Sequence, residues 1–172
     1  MTATVGITTG TSRLDRALLD VAGLQPGGRV LDVGCGTGDA TLGAARRVGP
    51  SGLALGVDDS LAMLEQARRR AADAGLAHVG FVHADAQTQR FAPLRFDAIV
   101  STRADAGFAD PGVGFTNLAR ALRPGGRLAI VSREEPDRMR AVLTGAELVD
   151  VSHVAVDDEA AAVWLVRALG RD

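Results

Sequence analysis

Residues 29–41, RVLDVGCGTGDAT, constrain this chain more than any other stretch. A short apolar run carrying one acid, Asp32, enters a turn built on Gly34, Gly36 and Gly38, and a helical pattern starts at Asp39. A strand that passes into a helix through glycines brings backbone N–H groups and a helix N-terminus close to a ligand.

The rest of the chain keeps the same alternation. Helical patterns are expected over 13–24, 39–48, 60–75, 111–126 and 137–146. Ser60 is the expected N-cap of the third of these, Pro111 suits the first turn of the fourth, and Pro124-Gly125-Gly126 should end it. Nearly continuous apolar runs at 29–33, 52–57, 79–84, 96–101 and 127–132 read as strands of a parallel sheet covered on both faces. The tail differs. Two strand-like runs, 147–156 and 162–169, are separated only by DDEAA, too short for a parallel crossover, so they should form an antiparallel hairpin. The expected fold is α/β: a Rossmann-like, doubly wound, seven-stranded sheet, mostly parallel with an antiparallel last strand. A length of 172 residues fits one domain, with residues 1–12 expected to be a mobile N-terminal segment.

The ligand can be read from the acids. Nicotinamide enzymes use G-x-G-x-x-G, whereas the spacing here is G-x-G-x-G and the third glycine position of the other pattern holds Asp39. Asp39 would repel a pyrophosphate, and Asp32 points the same way, toward a ligand with a positive amino group. Asp58, closing the second strand, can accept two hydrogen bonds from a ribose diol, and Asp85, after the third, can accept from an adenine amino group. An ammonium, a ribose and an adenine without phosphate describe one ligand.

Five motifs then fall in order. VLDVGCGTG, GVDDS, HADA, FDAIVS and LRPGGRLAIV resemble those of class I S-adenosylmethionine-dependent methyltransferases, and the resemblance runs from about residue 13 to 169. It implies S-adenosylmethionine as cofactor and S-adenosylhomocysteine as product. It implies that Gly34, Cys35, Gly36 and Gly38 line the methionine end by backbone, and that Asp32 anchors the amino group directly or through water. Asp58 would hold the ribose, Asp85 with Ala86 the adenine, and Ser101 would face the methyl group. Asp59 stands where relatives usually carry an apolar residue against the adenine ring. The stretch STRADAGFADP after the fourth strand has one aromatic, Phe108, where relatives are aromatic-rich, and no lid is inserted after the fifth strand.

Arg103 and Asp105 follow the fourth strand at the edge where open α/β sheets bind ligands, and are the candidates to orient an acceptor; a surface ion pair is the bland reading. Glu134 and Glu135 share that edge and read as surface charges. His78, His83 and His153 lack metal-ligand spacing, so no metal site is expected. Cys35 reads as a small residue in a tight turn, and the single cysteine excludes an internal disulfide framework. ARRRAA at 67–72 reads as a solvated helix face. A net charge of −2 gives no basic footprint for nucleic acid. No apolar run is long enough to span a bilayer, and MTATVGITTGTSR lacks the pattern of a signal peptide. A cytoplasmic protein acting on a small molecule, possible as a homodimer, is the resulting expectation. The activity expected is methyl transfer to an O, N or C nucleophile. The alternatives are a non-methylating reaction or a binding subunit on the same scaffold.

Overall fold

The computed structural model describes residues 12–91, 95–103, 107–156 and 161–169. Asp105 and all of the expected N-terminal segment except Ser12 lie outside them. Seven strands form one sheet in the order β3-β2-β1-β4-β5-β7-β6. In chain order they are β1 (Arg29–Val33), β2 (Leu53–Asp58), β3 (Val79–His83), β4 (Phe96–Ser101), β5 (Leu122–Ser132), β6 (Leu148–Val156) and β7 (Ala161–Ala168). β1 pairs in parallel with β2 on one side and β4 on the other, and β7 runs antiparallel to both β5 and β6. The tail is therefore the antiparallel pair that its spacing called for. Strand order reverses between β1 and β4, and a crevice opens there at the carboxyl ends.

Among the described residues, five helices cover the sheet: α1 (Arg13–Ala22), α2 (Asp39–Val48), α3 (Leu61–Asp73), α4 (Pro111–Ala121) and α5 (Pro136–Gly145). The pleat of β1, β4 and β5 sends neighbouring residues to opposite faces. Leu31, Ile99 and Leu128 pack with Phe115, Leu118 and Leu143 on the α4–α5 side. Val30, Val100 and Ala129 pack with Leu18, Leu19, Ala45 and Val48 on the α1–α2 side. Each fully buried Val, Leu, Ile or Phe side chain contributes about 2 kcal/mol relative to exposure, so the two cores fix the strands whose ends form the crevice. Trp164 of β7 is wholly buried, as expected, with His153 stacked on it at 4.5 Å. No helix among the described residues is long and apolar enough to cross a membrane.

Ser12 is the N-cap of α1: its hydroxyl accepts from Asp15 N at 3.0 Å, while Asp15 Oδ2 accepts from Ser12 N at 3.1 Å, a reciprocal capping box. One expectation needs correction. The helix expected over 111–126 ends at Ala121, and Leu122 is already extended. Pro124 disfavours helix in the residue before it. The run 123–126 instead bulges between the pairs Phe96–Leu122 and Ala98–Arg127.

Candidate functional site

The carboxyl ends of β1, β2 and β4 deliver the site. Gly34, Gly36 and Gly38 all have positive φ, at 69°, 53° and 86°. A side chain would be strained at each, which is why the turn is written in glycine. Gly34 N and Cys35 N donate to the Val57 carbonyl at 2.8 and 3.1 Å, tying the turn to β2. A Cβ on Gly36 would meet nothing within 4 Å, so this side of the turn is open.

Two cavities lie against the turn, of about 420 Å³ and 360 Å³, and they share Gly34, Gly36, Met63 and Arg103. Together they form one groove with two lobes. The larger lobe takes Asp58, Asp59, Asp85 and Ala86 from the ends of β2 and β3, with Phe108 from beyond β4. The smaller takes Asp32, Cys35, Thr37 and Asp39 from the turn and Ser12, Leu14 and Asp15 from α1.

Asp32 is 2% exposed and accepts a 2.6 Å hydrogen bond from Thr41 Oγ1. Burial pushes its carboxyl up to about 7, and the nearby charges of Asp15 and Asp58 add to the shift against the hydrogen bonds from Thr41. A cation entering this lobe would favour the ionised form. Cys35 is buried, and burial raises its thiol far above the usual range, so a small apolar role fits it better than a nucleophilic one.

Asp58 sits between two backbone donors. Its Oδ2 accepts from Gly36 N and its Oδ1 from Ser60 N, both at 2.9 Å. Each carboxylate oxygen keeps a second lone pair for a donor in the groove, which suits a diol. Asp85 is exposed, with Oδ1 accepting from Gln87 N at 2.8 Å. Asp59 is exposed and lines the larger lobe; His83 Nε2 donates to its carbonyl at 2.9 Å, so His83 braces this wall.

Two of the expected contacts are not brought to the groove. Ser101 is fully buried, and its hydroxyl donates to the Val33 carbonyl at 2.7 Å, which braces β4 against β1. Gly38 is not among the lining residues of either lobe, and its N–H donates to the Cys35 carbonyl at 2.8 Å; a Cβ there would lie 3.2 Å from Ala67 Cβ and 3.3 Å from the Phe81 ring, so its missing side chain lets α3 approach. Arg103 is exposed and lines both lobes; its expected partner Asp105 is outside the described residues. Glu135 caps α5 through Arg138 N at 3.0 Å, and Glu134 pairs with Arg138 at 3.1 Å, in keeping with surface charges.

Sequence reasoning missed Met63, Asp15 and Arg70. Met63 lies in the first turn of α3, and its apolar side chain lines both lobes, next to Asp59. Its position one turn beyond Ser60 was the available signal. Asp15 reaches the smaller lobe from α1, and no rule about strand ends finds it. Arg70 lies within ARRRAA, yet it is half-buried and pairs with Asp39 at 2.6 Å, whereas Arg68 and Arg69 are exposed as expected. That pair balances the Asp39 charge, so the preference for a cation rests on Asp32 and Asp15 rather than on Asp39.

The chain is similar to known proteins over most of its length. A family model described as a methyltransferase domain matches residues 24–163. Nocamycin O-methyltransferase of Saccharothrix syringae is 34% identical over 147 residues, which are 86% of this chain and 52% of that protein. A ubiquinone/menaquinone biosynthesis C-methyltransferase UbiE of Ectopseudomonas mendocina is 35% identical over 122 residues, 70% of this chain and 48% of that protein. The chain thus spans about half the length of these curated relatives. Among solved structures, the [4+2]-cyclase SpnF superposes with a TM-score of 0.80 at 20% identity, over 92% of this chain and 82% of the other, a likeness of fold.

Proposed function

The chain belongs to the class I S-adenosylmethionine-dependent methyltransferase family, and from that premise we propose that it binds S-adenosylmethionine in the two-lobed groove and transfers its methyl group to an O, N or C nucleophile of a small molecule. The observation that carries this reading is the division of the groove, with a buried acid beside a glycine turn in one lobe and Asp58 with Asp85 in the other. The residues present fit the group. Gly36 opens onto free space, the Asp58 oxygens retain lone pairs for a ribose diol, and Asp32 and Asp15 suit an ammonium. Met63 and Ala86 supply apolar wall in the adenine lobe, where Asp59 itself does not.

When bound, S-adenosylmethionine supplies an electrophilic methyl group. The chain's own part is alignment and exclusion of water. Arg103, astride both lobes, is the proposed residue to orient an acceptor, together with Asp105. On this proposal the acceptor side of the groove is either open or closed by a second copy of the chain.

The reading is tested by calorimetry with S-adenosylhomocysteine, followed by detection of that product with acceptors of the phenol, amine and activated-carbon classes. Saturable binding with product formation supports it. Binding without product from any acceptor class would favour a non-methylating reaction or a binding subunit, and no binding would overturn it. Arg103→Ala should lower turnover more than cofactor affinity, and the reverse split would move Arg103 to the cofactor.

A further inference from the structure

We propose that Arg70 is a positioning residue for the cofactor turn: one guanidinium on α3 grips the chain on both sides of Gly38 and holds the turn in its open, left-handed form. The inference rests on the reading of the groove as a cofactor site. Arg70 Nη1 donates to the Thr37 carbonyl at 2.8 Å and to Thr37 Oγ1 at 3.1 Å. Its Nη2 donates to Asp39 Oδ1 at 2.6 Å, and Thr37 Oγ1 closes the circuit onto Asp39 Oδ2 at 3.3 Å.

The residue between these anchors needs such a grip. Gly38 is the N-cap of α2, has φ of 86° and offers no side-chain cap to the helix. Glycine visits many conformations freely, so its own geometry does not select this one. A guanidinium presents several donors in a fixed plane and can span the two flanking residues at once. Arg70 also lies one turn beyond Ala67, which packs where a Gly38 side chain would stand. The same helix carries Met63 into both lobes, so the grip fixes one wall of the groove relative to the other.

Magnitudes separate this role from a purely stabilising one. The Arg70 and Asp39 side chains are 35% and 39% exposed, and pairs this open add little to global stability. The effect belongs to local order and ligand affinity. The hydrogen bond from Arg70 and its charge hold Asp39 below the usual carboxylate range, so the grip persists at neutral pH.

The test compares the parent chain with Arg70→Gln and Arg70→Lys by S-adenosylhomocysteine calorimetry, thermal melting and amide hydrogen exchange at Gly38. Arg70→Gln should weaken binding by about tenfold, the loss of a charged hydrogen bond. It should speed exchange at Gly38 while strand amides and melting change little. Arg70→Lys should recover only part of the affinity, because one ammonium does not span both anchors. Unchanged affinity with unchanged Gly38 exchange in Arg70→Gln overturns the proposal, as does a loss spread evenly over all strand amides. If Arg70→Gln fails to fold, Asp39→Ala, which removes the Asp39 anchor and leaves the contacts between Arg70 and Thr37 in place, decides: faster Gly38 exchange with weaker binding supports the grip, and parental behaviour overturns it. A parent chain that binds no S-adenosylhomocysteine would sink the functional reading instead, and Gly38 exchange would still judge Arg70.

Discussion

Two glycine turns bracket the sheet, and they use the same residue for opposite ends. At the carboxyl edge, GCGTG follows β1, and Gly36 faces open space. At the amino edge, PGG lies within β5, and a Cβ on Gly126 would stand 2.8 Å from the Arg123 carbonyl and 3.2 Å from that of Phe96. The first turn keeps side chains out so that a ligand can approach backbone. The second keeps them out so that backbone can approach backbone. The acids beside them differ in the same sense. Asp97 near the second turn pairs with Arg123 and accepts from Arg29 N at 2.7 Å. Asp32 near the first is buried and has no cationic partner among the described residues. A protein gains nothing for its own stability from such an acid, and a cationic ligand is what it suits.

The largest test of this contrast is Asp32. Its folded carboxyl titrates at about 7 against 3.8 in an unfolded chain, so the folded state holds the proton more tightly. This group therefore costs no stability below the unfolded value, and the cost grows as pH rises toward the folded value. Between about pH 5 and about pH 8 the ligand-free protein should lose roughly 3 kcal/mol through this carboxyl. Asp32→Asn should remove that slope in urea denaturation while weakening S-adenosylhomocysteine binding. A slope identical to the parent's would mean that Asp32 is ionised in the folded protein.

Gly126→Val comes next. The new side chain meets carbonyls that cannot rotate away, and overpacking of this kind costs about 2 to 3 kcal/mol. Urea denaturation should report that loss, while ligand affinity of the folded protein stays at the parental value. Weakened affinity would show that the amino-edge turn is coupled to the groove, and the contrast would fail.

Asp58→Ala should lower S-adenosylhomocysteine affinity by about 1 to 3 kcal/mol, from lost charge-assisted hydrogen bonds. The change in ligand-free stability should be smaller. Calorimetry showing parental affinity would remove Asp58 from the ribose.

Gly36→Ala is the smallest expected change in stability, about 1 to 2 kcal/mol from the left-handed backbone, since no atom stands in the way of the methyl group. Binding should suffer more than folding. Equal losses in both would make the two turns alike and erase the comparison.

Much of this arrangement was legible because it is local. The strand–glycine–helix pattern around Gly34 to Gly38, the acids at the ends of β2 and β3, and the short spacing of the last two strands are properties of neighbouring residues, and periodicity reports them directly. The end of α4 was misjudged because Pro124 acts backward on the residue before it, and the pairing of Leu122 with Phe96 draws those residues into β5. The inward turn of Ser101 was not legible either, because the acceptor of its hydroxyl, the Val33 carbonyl, lies on another strand.

The sequence alone determined the order of elements, the course of the glycine turn and which residue types stand at its mouth, since those follow from short-range sterics and patterning. Only the tertiary structure decided the proton on Asp32, the hold of Arg70 on a turn more than thirty residues away, and the entry of Asp15 and Met63 into the groove. The reason is physical: protonation depends on burial and on charges from other elements, and hydrogen-bond partners are chosen by distance in space, neither of which the order of residues contains.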